Sequence, residues 1–149
     1  MYTKHLGFFL DSRLNFRKHV AEKAKTANKG LGMLRFLSRY VDRRVLDQIY
    51  KMYVRPHLDY GDIIYHSQVK ESMDILEAIQ YRAALIVSWS WKGTNRAKLY
   101  AELGWESLSD RRRIRRLMLY YRINADLAPS YLKKCVDQCP PASTLRFKN

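Results

Sequence analysis

FRKHVAEKAKTANKGLGML, residues 16–34, decides the fold. Phe16, Val20, Ala24, Ala27, Leu31 and Leu34 recur at spacings of three and four. At 100° per residue they gather on one face of a helix. Lys18, Lys25 and Lys29 gather on the opposite face. Asn15 reads as the N-cap, and the helix ends near Tyr40. Gly30 and Gly32 weaken the helix locally or let another element approach closely.

The same spacing recurs downstream. Asp42 caps a second helix with Val45, Leu46, Ile49, Tyr50 and Tyr53 as its apolar side, and Pro56 ends or kinks it. His57 to His66 reads as aromatic and irregular, with Gly61 as a breaker. A third helix runs from about Glu71 to Trp89 on Leu76, Ile79, Ala83 and Ile86. SWSWKG, residues 88–93, is a turn. Thr94 opens a fourth helix that stops at Gly104. Ser109 caps a fifth, reaching about Ala125, with Ile114, Leu117, Met118 and Tyr121 as its apolar side. Pro129, Pro140 and Pro141 punctuate an irregular tail. Upstream, His5 to Leu10 reads as a strand. A lone strand is not stable by itself, so it calls for a missing sheet, a partner chain or packing under the helices. The expectation is a mainly α bundle of about five helices with a short N-terminal strand or hairpin remnant. It divides into residues 1–14, a helical block over 15–127 and a tail over 128–149.

Charge narrows the partners. There are 28 Lys and Arg against 14 Asp and Glu, a net +14, spread along the chain. Such an excess attracts polyanions, nucleic acid before an anionic membrane. The longest uncharged apolar run, Ala83 to Trp91, is far short of the ~20 residues of a membrane helix. No apolar signal region follows Met1, so an intracellular location, nuclear or cytoplasmic, is expected. Cys135 and Cys139 form one C-x3-C pair without the second pair that a structural zinc site wants, and His66 is distant in sequence.

Catalytic patterns fail on inspection. Tyr60-Gly61-Asp62 invites comparison with the Tyr-x-Asp-Asp turn of polymerases, but Ile63 stands where the second carboxylate would be. One carboxylate does not hold two metal ions. His19 and Glu22, at i and i+3, are two ligands without a third, and a surface hydrogen bond is the expected role. No Gly-rich phosphate loop and no nucleophile spacing is present, so no metal or other cofactor is expected for this chain. The positive signal is basic residues interleaved with 11 Tyr and 3 Trp. Lys and Arg on helix faces neutralise phosphates, and aromatic rings stack on bases. The candidate nucleic-acid contacts are Lys18, Lys25, Lys29, Arg35 and Arg39 along the first long helix. A second set is Arg111, Arg112, Arg115 and Arg116 on the fifth.

Five blocks, in order, resemble one family. They are residues 4–11 (KHLGFFLD) with Leu14, Asn15, Phe16 and His19; Leu46 with residues 50–61 (YKMYVRPHLDYG); residues 76–86 (LEAIQYRAALI); residues 103–112 (LGWESLSDRR); and residues 128–132 (APSYL). Together they are similar to the region that follows the palm in non-LTR (LINE-like, jockey-type) retrotransposon reverse transcriptases, over nearly the whole chain. The resemblance implies a helical thumb that closes on template–primer duplex, preceded by a primer-positioning stub. In such an enzyme the palm, upstream of this stretch, carries the carboxylates and would use Mg2+. On that reading the chain alone is not an enzyme. Leu6, Phe8, Phe9 and Leu10 would lack the palm and fingers that cover them and would drive self-association. A stand-alone helical nucleic-acid binder, a protein-interaction module and a remnant of a decayed element stay open beside it.

Overall fold

The computed structural model describes residues 2–65 and 70–137. The chain opens with an antiparallel hairpin in which β1 (Tyr2–His5) pairs with β2 (Phe8–Asp11), Tyr2 opposite Asp11 and His5 opposite Phe8. Leu6 and Gly7 are left for the turn, with φ of 45° and 81°. Two successive left-handed residues are what a two-residue hairpin turn requires, because their twist matches that of the strands. The strand read over 5–10 is therefore bent at its middle, and the chain doubles back on residues 2–5.

Helix α1 (Arg17–Leu37) follows. Its cap is set one residue back from a simple N-cap. Phe16 takes φ 54°, and the Asn15 Oδ1 accepts the Arg17 N–H at 3.1 Å. Phe16, Val20, Ala24, Ala27, Leu31 and Leu34 are all buried, as the spacing requires, and His19 is buried among them. This face packs on α5 (Lys70–Ser88) and on α2 (Arg43–Ile49), capped by Asp42 through its side chain. Gly30 is where Val54 comes close, and a Cβ there would meet its Cγ2 at 2.9 Å; among the described residues nothing lies within 4 Å of a Cβ at Gly32.

Pro56 does not end the second helix. The chain passes from α2 into a π turn (Tyr50–Val54), in which the Arg55 N–H reaches back to the Tyr50 carbonyl, and continues as α3 (Arg55–Asp59). A proline ring in a regular helix collides with the carbonyl four residues back and has no N–H to donate. The wider turn accommodates it, as π bulges do. It also keeps Tyr50, Val54 and Leu58 on the buried side. Beyond Gly61, a short α4 (Asp62–Tyr65) replaces the expected irregular stretch.

Helix α6 (Arg96–Leu103) is capped by Asn95, not Thr94: its Oδ1 accepts the N–H groups of Ala97 and Lys98 at 2.9 and 3.2 Å. Gly104, at φ 64°, ends it. Helix α7 (Leu108–Asn124) is capped by Ser107, whose hydroxyl accepts the Asp110 N–H at 3.1 Å, and not by Ser109. The tail also departs from expectation, since α8 (Ser130–Asp137) follows Pro129 directly. Proline is at home at a helix start. His66, Cys139, Pro140 and Pro141 lie outside the described residues.

The chain divides into two compact units between Arg112 and Arg113, the second containing most of α7 and all of α8. The core of the first is tied by polar nodes. The Tyr50 hydroxyl donates to Gln80 Oε1 at 2.8 Å, and Gln80 Nε2 donates to the Glu106 carbonyl at 2.8 Å. Glu77 accepts the Tyr100 hydroxyl at 2.9 Å and the Leu108 N–H at 3.0 Å, so it fixes the start of α7. Trp105 stacks on Tyr50 at 3.9 Å and donates to Asp47 at 2.7 Å. Burial raises the pKa of Tyr50 and Tyr100, and both stay neutral donors. In the second unit the expected apolar side of α7 is turned out: Ile114, Leu117, Met118 and Tyr121 are 44–67% exposed, while Ile123 is buried.

Candidate nucleic-acid interface

The outer face of α1 carries a row of basic residues. The helix carries six Lys or Arg and one acid, Glu22. Lys25, Lys29, Arg35 and Arg39 are exposed, and among the described residues no carboxylate pairs with any of them. At 1.5 Å per residue, Lys18 to Lys29 spans about 16 Å, or about five base-pair steps. The inner face fixes this presentation, because the buried run from Phe16 to Leu34 leaves the lysines one direction to point.

Lys18 differs from the other two. Its Nζ lies 4.5 Å from the Tyr2 ring centroid and 5.5 Å from that of Phe9, so the hairpin draws it in by cation–π attraction. Lys25 and Lys29 have no such tether among the described residues. Arg35 lines a groove between α1 and α5.

The hairpin is held by an aromatic cluster. Phe8 stacks on His19 at 4.6 Å and on Tyr60 at 5.2 Å, and Tyr65 meets His19 edge-on at 5.3 Å. Tyr60 donates its hydroxyl to the Leu6 carbonyl at 2.5 Å, and Lys23 Nζ sits 3.7 Å from its ring centroid. Phe8 and Leu10 pack in part against the core of this chain and Phe9 is half-buried, so this side of the hairpin has neighbours within the chain; Leu6, at the turn tip, is 79% exposed. The Tyr60-Gly61-Asp62 turn serves this cluster: Gly61, at φ 71°, makes room for the Phe8 ring, and Asp62 is buried.

His19 is likewise not a surface group. It is fully buried, and among the described residues neither ring nitrogen has a hydrogen-bond partner of good geometry. Burial, and then Lys23, lower its pKa below the ordinary histidine value, and the nearby Tyr60 backbone offsets this only in part. The imidazole is thus a neutral aromatic plate. Among the described residues no group of three or more His, Cys, Asp or Glu side chains is placed to share a metal ion.

The second candidate patch is broken up. Arg111 bonds Asp59 at 2.9 Å and approaches Glu106 at 3.7 Å. Arg112 is 2% exposed, with an Nη1 contact to Met73 Sδ at 3.2 Å. These two arginines fasten the start of α7 to the core and are not presented to a phosphate. Arg115 is half-buried and Arg116 exposed, both in the second unit. The run of arginines in sequence hides this division because neighbours on a helix point 100° apart.

The sequence reading passed over another set. Tyr81, Arg82, Lys92 and Arg96 lie on or after α5, with Trp89 and Trp91 exposed in the loop beyond it. The alternating tryptophans of SWSWKG were the available signal.

A 72-residue stretch, 48% of this chain, is 31% identical to an uncharacterized protein of Caenorhabditis elegans. The stretch spans 36% of that protein's length. No family model and no solved structure matches the chain. Among the described residues no helix is long and apolar enough to cross a membrane.

Proposed function

We propose that this chain is the thumb portion of a non-LTR retrotransposon reverse transcriptase, gripping template–primer duplex through the outer face of α1. One observation supports this above the others: Lys25 and Lys29 stand exposed and, among the described residues, without a carboxylate partner on a long helix whose opposite face is buried from Phe16 to Leu34. A line of ammonium groups suits a line of phosphates and reads no bases. The five-block resemblance supplies the identity of the duplex as template–primer. It also assigns catalysis, and the Mg2+ it needs, to a palm outside this stretch. On this reading the palm and fingers are partners of the chain, and the hairpin is the stub between palm and thumb.

The test is binding of the purified chain to blunt duplexes of unrelated sequence across a salt series. Equal affinity for all sequences, falling steeply with salt, is the expected result. Affinity that salt leaves unchanged removes the proposal.

A second reading has its own observation. The exposed Ile114, Leu117, Met118 and Tyr121 stripe of α7 suits a protein-interaction module. Salt-independent behaviour on nucleic acid would favour it.

A further inference from the structure

Between α1 and α5 lies a groove of about 530 Å3 whose lining includes Arg35, Tyr81, Arg82, Leu85, Ser90 and Lys92. Among the described residues no carboxylate lines it. Arg82 is held in place by neutral acceptors, the Ala78 carbonyl at 3.3 Å and Asn28 Oδ1 at 3.1 Å, so its charge is not neutralised there. Arg96 lies 5.5 Å from the Tyr81 ring centroid.

The loop that closes one end of the groove has a well-bonded backbone. The Tyr81 hydroxyl donates to the Thr94 carbonyl at 2.8 Å and accepts the Gly93 N–H at 3.3 Å. Thr94 returns two bonds to the Trp91 carbonyl, from its N–H at 3.1 Å and its hydroxyl at 2.7 Å. Ser90 N–H is bonded to the Leu85 carbonyl at 3.1 Å. On this fixed backbone Trp89 is held at φ 53°, a left-handed conformation that bulky residues rarely adopt. Trp89 is 59% exposed and Trp91 89% exposed. Two large rings are therefore kept in water, alternating in sequence with Ser90 and Lys92 of the groove.

We propose that this groove and the Trp89–Trp91 loop bind unpaired nucleotides of a single strand, with bases on the indoles and phosphates on Arg35, Arg82 and Lys92. Aromatic platforms beside a basic groove are the general solution for single strands, since every base has a π-face. A duplex keeps its bases stacked inside and offers the tryptophans nothing to cover. An anionic bilayer satisfies the charge but does not fill a concave groove. The inference rests on the nucleic-acid reading above for the class of partner only; it uses a different face from Lys25 and Lys29.

The experiment follows tryptophan emission of the full chain as oligo(dT) of about ten nucleotides is added, with a blunt duplex and phosphatidylserine vesicles titrated in parallel. Trp105, 8% exposed, stays a constant background. Oligo(dT) quenches the emission, and Trp91→Ala weakens oligo(dT) binding roughly five- to a hundredfold while leaving duplex affinity within about twofold. Trp91→Phe restores most of the affinity. Helicity by circular dichroism is unchanged in both variants, because the side chain is exposed. Absence of quenching, equal weakening on single strand and duplex, or a response confined to the vesicles overturns the inference. If duplex binding stays salt-dependent in that case, the thumb reading survives; if duplex binding is absent as well, both fall.

Discussion

His19 shows how far a single residue departs from its sequence neighbourhood. Its i, i+3 relation to Glu22 suggested a surface pair. The structure buries it under Phe8 and against Tyr65, with Lys23 on the same helix, Tyr60 opposite and the buried Asp62 two residues beyond Tyr60. Its folded pKa lies below the unfolded value of about 6.5. At pH below about 6.5 the unfolded chain therefore binds a proton that the folded chain refuses, and stability falls as pH falls, by up to about 1.4 kcal/mol per unit. The decline ends once pH passes the lowered folded value. His19→Phe should flatten urea-unfolding stability between pH 7 and 5 relative to the parent; an unchanged slope contradicts the buried neutral imidazole. Gly61 belongs to the same cluster. Gly61→Ala places a Cβ into the Phe8 ring at φ 71°, and should cost roughly 1–3 kcal/mol in the same unfolding assay. None of this was legible in sequence, because the packing joins residues 8, 19 and 60, far apart in the chain.

At the scale of elements, legibility followed periodicity. The buried face of α1 could be read residue by residue, since six apolar side chains at helical spacing leave one solution. Helix ends were less legible. Asn95 outcompetes Thr94, and Ser107 outcompetes Ser109, because a cap is chosen by which side chain reaches the free N–H groups, and several candidates stood within two residues. Of the two outcomes open to Pro56, an end or a kink, the structure takes an interruption by a widened turn, while Pro129, read as punctuating an irregular tail, begins a helix. The hairpin changes the expected outcome of a truncation. Removing residues 1–11 strips Phe8 and Leu10 from the core and opens His19 to water. The truncated chain should unfold at lower denaturant than the parent, and unchanged stability would show that the hairpin adds nothing to the core.

For the whole molecule, the net charge of +14 pointed to a polyanion, but which cations are presented had to come from the fold. Arg111 and Arg112 are engaged with Asp59, Glu106 and the core, while Lys25 and Lys29 remain outward. On the proposed thumb reading, catalysis belongs to a palm outside this stretch. The purified chain is accordingly expected not to extend a primer on an RNA template with magnesium or manganese, and extension abolished by Asp62→Asn would undo the account. The most direct measurement is a salt titration of duplex binding for the parent and for a variant with Lys18→Gln, Lys25→Gln and Lys29→Gln. Affinity should fall for every duplex sequence alike, and the log–log salt slope should flatten by roughly 0.9 for each phosphate no longer neutralised. Lys18, tethered to Tyr2 and Phe9, contributes least. Equal slopes for the two proteins would contradict the assignment of α1 as the surface that grips nucleic acid.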